Sequence, residues 1–200
     1  MSVLSGFAAG THGYDQTMNL SDTFRPLEEL AALDPVSDLI QRRWRKILDG
    51  RAAGTILRGE WLGHAAHPAL VAVPIGAWTG AIVLDRSGEP RAARRMIGLG
   101  LASLPAVITT GWADWSTLDG RQRRVGLVHA ATNAAGVALF LTSYLRRRTG
   151  ADETSRWLGL LGWSAVGLGG AIGGHLVFNQ GARVAQRPNT AEAVVEYNVA

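Results

Sequence analysis

Apolar and polar positions are spread very unevenly along this chain. From Ala65 to Phe178, uncharged apolar runs alternate with short arginine-rich joints, whereas residues 1–60 are mixed and charged. Four runs stand out, at 68–84, 96–113, 125–145 and 157–178. A membrane-crossing helix needs about 20 predominantly apolar residues, and each run, with its flanking small residues, approaches that length. A helix of a soluble bundle would keep a polar stripe; these runs are apolar around the whole circumference. The joints between them are too short for anything but antiparallel neighbours. The pattern therefore predicts an all-α integral membrane protein, an up-down four-helix bundle over residues 58–182. Pro74 and Pro105 fall inside the first two spans and are expected to bend them, which neighbouring helices make tolerable.

The segment before the bundle, residues 1–57, reads differently. Residues 1–22 lack periodicity and predict a loose tail, in which His12 has no assigned role. A short helix is expected from Pro26 to Leu33. A stronger one follows over 35–49, with Asp34 as N-cap, Pro35 as first residue and Gly50 just past the end. Val36, Leu39, Ile40, Trp44, Ile47 and Leu48 recur at helical spacing, against Gln41, Arg42, Arg45, Lys46 and Asp49 on the other face. A basic amphipathic helix with a Trp fits a membrane surface; packing on another protein surface is the alternative. Residues 183–200 form a C-terminal tail.

Composition sharpens this picture. The apolar fraction of 47% and mean hydropathy of +0.08 average over two unlike halves. The absence of Cys excludes disulfides, Fe–S clusters and thiolate chemistry in this chain. The net charge of +4 comes mostly from Arg at the ends of apolar runs, which suits lipid headgroups and not a nucleic-acid face. Trp61, Trp112 and Trp115 are expected at one interface and Trp157 at the other. Gly169/Gly173 and Gly170/Gly174 form two overlapping small-xxx-small pairs, a possible route to a helix–helix oligomer. No Ser/His/Asp set, phosphate loop or carboxylate pair stands out, so a stand-alone enzyme is not expected.

The candidate chemistry lies in histidines. On the four-span topology His64, His67, His129 and His175 all fall at one end of the bundle, with Asp114 closing the second span there. His129 and His175 sit a few residues inside, roughly 6 Å deep at the helical rise. Asn133 and Asn179, each four residues after a histidine, are placed to orient it. Ionisable groups within membranes usually face the bundle interior with partners. Three readings stay open. Haem b would take imidazoles from different helices, with His67, His129 and His175 as candidates. A non-haem Fe or Zn site would draw on His64, His67, His129, His175 and Asp114. In the third, the histidines only hydrogen-bond the bundle mouth and no cofactor is held.

The run Trp61-Leu62-Gly63-His64-Ala65-Ala66-His67-Pro68-Ala69-Leu70-Val71, followed by Val73-Pro74-Ile75-Gly76, resembles a bacterial four-span membrane family known as domain of unknown function 2231. The family pattern reads like G-H-P-x-H-P-x-L-V with a later P-x-G; Ala65 stands where the first proline would be. The resemblance extends through Thr110–Trp115, His129–Asn133 and Gly173–Val177, covering about residues 58–182. It implies a four-span fold and, because such domains are often fused to Rieske-type ferredoxin domains, redox company. With no Cys in this chain, that partner would be a separate polypeptide. The resemblance implies no reaction.

The expected function is thus a haem- or metal-bearing electron-transfer subunit, with a non-redox structural or assembly subunit as the alternative. The expected location is the cell membrane, multi-pass, with both termini on one side. Arginine and lysine counts near the spans are almost balanced between the two ends. The long N-terminal segment without a signal-like start favours the cytoplasmic side for the termini.

Overall fold

Four helices follow the four apolar runs; the first three exceed their runs in length, and the fourth does so with its π-helical continuation. The computed structural model describes residues 20–150 and 152–183; His12, Arg187 and most of both expected tails lie outside the described residues. Helices α1 (Leu20–Glu28), α2 (Asp34–Leu48) and α3 (Ala52–Leu57) precede α4 (His67–Arg86), α5 (Pro90–Trp115), α6 (Gly120–Arg146) and α7 (Glu153–Gly174), the last continued by a π-helical turn over His175–Asn179. Asp119 and Asp152 start α6 and α7 through reciprocal capping boxes with Gln122 and Ser155. Helices α4 to α7 are each long and apolar enough to cross a bilayer, and only 22 to 28% of their most apolar windows is buried within the protein. That much outward apolar surface requires a lipid-like surround, and the chain is an integral membrane protein with an up-down bundle.

The bundle is built from two like hairpins. Helix α4 packs mainly on α5, and α6 mainly on α7, while α5 meets α6 and α4 meets α7 less extensively; α4 and α6 are thus diagonal and run in the same direction. Adding 62 to the residue numbers of α4 and α5 gives their counterparts in α6 and α7 without a gap. The contacts follow that offset. Trp78 stacks on its own counterpart Phe140 at 4.3 Å between centroids, and Asp85 pairs with its own counterpart Arg147 at 2.6 Å. A residue can touch its counterpart only near a two-fold axis. A pseudo-two-fold axis therefore runs up the bundle centre, parallel to the helices. Around it lies the core: Trp78, Ala81, Ala93, Ile97, Phe140 and Val166.

Helix α6 is longer than α4 at one end. His67 is the first residue of α4, yet its counterpart His129 lies well inside α6. The extra turns of α6 stand beyond the bundle mouth and hold the N-terminal helices as a collar. Arg124 forks onto Asp34 at 2.6 and 2.7 Å and donates to the carbonyl of Glu28. Arg123 pairs with Asp38 at 2.7 Å and reaches Gln41. Gln41 donates to the carbonyls of Ser116 and Leu118.

Helix α2 consequently docks by a mixed stripe of polar and apolar residues. Ser37 and Gln41 are buried with Leu48, while Val36, Leu39 and Ile47 are about half exposed. The expected helix is present; of its apolar set Ile40, Trp44 and Leu48 face the protein, while Val36, Leu39 and Ile47 face outward with Arg42, Arg43, Arg45 and Lys46. Several local expectations change. Asp34 does not cap α2, because Arg124 takes its carboxylate. Pro26 lies near the end of α1 and not at a helix start, and only a 3-10 turn covers Ala31–Leu33. Trp61 and Trp157 are exposed as expected. Trp112 and Trp115 instead turn inward: Trp112 stacks on Trp44 of α2 and meets Trp115 edge-on, because docking the collar offers those rings more contact than the interface does.

The collar should release in acid. The side-chain amide of Gln180, then His175 and Arg121, hold the Glu28 carboxyl below its ordinary value, and the Arg124 guanidinium does the same for Asp34. Both groups have lower values docked than free. Their contribution is therefore complete above the ordinary carboxylate range and is lost as pH falls through the lowered docked values. Tryptophan fluorescence from the Trp44–Trp112 stack should change as pH falls below about 4. A stack unchanged after full protonation of the carboxylates would contradict this assignment.

Candidate functional site

The sequence places five candidate ligands at the mouth, and the structure divides them. His67 and His129 are pseudo-two-fold counterparts on the diagonal helices and lie within electrostatic reach of each other. Nδ1 of His67 is 2.9 Å from the carbonyl oxygen of Val107, and Nδ1 of His129 is 2.8 Å from that of Gly169. Val107 and Gly169 are themselves counterparts, each 40 residues beyond its histidine. A carbonyl only accepts, so each Nδ1 carries the proton and donates it. In the neutral imidazole this leaves Nε2 as a free lone pair.

Both rings need glycine beneath them. A Cβ at Gly111 would come within 2.8 Å of the His67 ring, and one at Gly173 within 2.8 Å of the His129 ring. The pair Gly111/Gly173 obeys the same offset. Each histidine is thus fixed by one carbonyl and one glycine of the partner helix in its own hairpin. His67 adopts a helical conformation despite the following proline, which disfavours one; the Val107 bond offsets that cost.

Asn133 does not orient His129 in the expected way. Its amide donates to the backbone carbonyl of His129 at 2.8 Å, and the same nitrogen lies 3.4 and 3.5 Å from the two ring nitrogens. A group nearly equidistant from both cannot be in line with either lone pair. The orienting oxygen comes from Gly169.

The remaining candidates have other partners. His175 is buried, with Nε2 2.9 Å from Glu28 of α1 and its ring 5.6 Å from that of Phe24. Asn179 shares with it the wall of a cavity of about 320 Å³ beneath α1, along with Asp22, Arg25, Glu29 and Arg121. Asp114 is paired with Arg183 at 3.1 Å. His64 is exposed and contacts only the carbonyl of Ala65 next to it. Among the described residues, no group of three or more His, Cys, Asp or Glu is placed to hold a metal ion. The set His64, His67, His129, His175 and Asp114 is not brought together, because Glu28 of the collar takes His175 and Arg183, beyond α7, takes Asp114, partners that linear spacing does not reveal.

Comparison with protein-family models, with curated proteins and with solved structures finds no match for this chain.

Sequence reading missed Val107, Gly111, Gly169 as a hydrogen-bond acceptor, and the Asp85–Arg147 pair. One signal was present: the constant offset that relates His67 to His129 also relates Gly111 to Gly173 and Gly100 to Gly162. The glycines expected to invite a second copy divide as well. Gly169 and Gly173 are covered by Asn133 and His129 of the same chain, whereas no atom would lie within 4 Å of a Cβ at Gly170.

Proposed function

We propose that this protein is a membrane-bound electron-transfer subunit whose haem b is held by His67 and His129. The supporting observation is the pair itself: two pseudo-equivalent imidazoles on diagonal helices, each pinned through Nδ1 and each with Nε2 left over. A carbonyl on the far nitrogen is the usual device for fixing a ligating imidazole and raising its basicity. Val107 and Gly169 would orient the two rings, Gly111 and Gly173 would admit them, and the collar would shield them from water. Haem supplies one-electron uptake and release when bound. Under this reading His175 is a collar anchor and not a ligand. The electron carrier would be a separate protein, with the Rieske-type ferredoxin implied by the family resemblance as the first to test.

A second reading has its own observation. Both imidazoles already bond helix to helix, as polar staples do in membrane bundles, which suits a structural or assembly subunit.

Absorption separates the two. Protein purified without chelators from haem-replete cells should be red, with a Soret band that shifts on reduction. His67→Ala and His129→Ala should abolish or alter that band alike, and His175→Ala should leave it. A colourless protein with stoichiometric Zn or Fe would replace haem by a non-haem metal. A colourless, metal-free protein would leave the staple reading, with each substitution costing about 1–3 kcal/mol for an unpaired buried group.

A further inference from the structure

A second polar site lies at the opposite end of the bundle. A cavity of about 770 Å³ opens between the start of α5 and the end of α6, lined by Pro90, Arg91, Arg94, Arg95, Gly98, Tyr144 and Arg147–Gly150. No carboxylate lines it. Arg147 is neutralised by Asp85, but among the described residues Arg91, Arg94, Arg95 and Arg148 form no ion pair. Arg94 is held in place all the same. Its guanidinium carbon lies 4.8 Å over the Tyr144 ring, and its buried Nε has no hydrogen-bond partner. Gly98 gives Tyr144 its position, since a Cβ there would approach the ring to 3.0 Å.

The internal repeat supplies a control. The counterpart groove between α7 and α4 has Glu153 for Arg91, Trp157 for Arg95, Leu160 for Gly98, Ile82 for Tyr144 and Asp85 for Arg147. The fold therefore does not impose an all-basic groove, and only one of two equivalent places carries it. Four unpaired guanidinium groups around one cavity match the charge and bidentate geometry of phosphate. The cavity sits where apolar helices end, at the level of lipid headgroups, and the same two helices expose Leu99, Leu141 and Leu145.

We propose that this cavity binds the phosphate headgroup of an anionic phospholipid, with Arg91, Arg94, Arg95 and Arg148 as its ligands and the acyl chains lying along α5 and α6. The lipid would fill one of the two junctions between the hairpins, where helices meet less closely than within a hairpin.

The test uses the full chain in uncharged detergent, with binding followed by thermal stabilisation on titration. Phosphatidylglycerol should stabilise the protein in a saturable way and phosphatidylcholine should not. An arginine near a membrane surface contributes roughly fivefold in affinity for anionic lipid, so Arg94→Gln/Arg95→Gln/Arg148→Gln should weaken binding roughly a hundredfold. The control Arg86→Gln/Arg156→Gln, in the counterpart groove, should leave it unchanged. Equal stabilisation by phosphatidylcholine, or equal loss in the control, would overturn the proposal. Stabilisation by inorganic phosphate at the same concentrations would assign the cavity to a free anion and overturn the lipid. Each variant is compared with its own lipid-free baseline, so a shift in intrinsic stability does not mask the outcome.

Discussion

Asp85→Ala should destabilise the bundle by about 3–5 kcal/mol, the cost of stranding one partner of a buried ion pair. The Arg147 side chain is fully buried and Asp85 nearly so. Arg147 spends both terminal nitrogens on the carboxylate at 2.6 Å, its Nε on Ser143 Oγ at 3.1 Å and a further bond on the carbonyl of Ser155. One guanidinium thus ties α4, α6 and α7. The pseudo-two-fold axis allows a stricter test. Because positions 85 and 147 are counterparts, Asp85→Arg/Arg147→Asp should re-form the pair and recover part of the loss. Recovery should be incomplete, because the counterpart of Ser143 is Ala81, which offers the guanidinium no hydroxyl, although the backbone carbonyl that Ser155 supplies has its counterpart at Ala93. Adding Ala81→Ser to the exchange should bring stability closer to the parent. Thermal unfolding in detergent reads all four proteins, and an exchange no better than Asp85→Ala would refute the symmetric placement.

Gly100→Ala should also destabilise, by about 1–3 kcal/mol, the usual cost of overpacking. A Cβ at that position would lie 2.2 Å from Nε1 of Trp78, which is itself buried and donates to the carbonyl of Ile97. Apolar helices gain little from burying one another in lipid, so close packing carries much of their association. The rescue is again suggested by the repeat. At the counterpart position, Gly162 faces Phe140 with more room, 3.0 Å to the nearest ring atom. Trp78→Phe should therefore relieve most of the clash in the Gly100→Ala background. Gly167→Ala, where nothing lies within 4 Å, should be neutral or slightly stabilising through helix propensity. Equal effects at Gly100 and Gly167 would mean the hairpin does not pack as described.

What the sequence determined by itself follows from composition over a window. Four uncharged runs of bilayer length separated by arginine joints leave no soluble alternative, and short joints leave only up-down topology. The amphipathic period of 35–49 and the common end of the four histidines were legible for the same reason: each depends on spacing within one helix or on parity of spans. What lay beyond reach depends on which side chains meet between helices. Spacing placed His129 and His175 at one mouth, but Glu28 captures His175 and the Gly169 carbonyl orients His129, and neither partner is near in sequence. The docking of α2 was hidden because amphipathicity gives a helix two faces without saying which stripe the protein covers; the covered one is mixed, Ser37, Ile40, Gln41, Trp44 and Leu48, and Arg123 and Arg124, on turns of α6 that overshoot the bundle, hold it there. The pairing of Asp85 with Arg147 is the clearest case. Both stand among joint residues in the sequence, and only the axis that sets counterpart opposite counterpart turns two ordinary interfacial charges into a buried cross-brace.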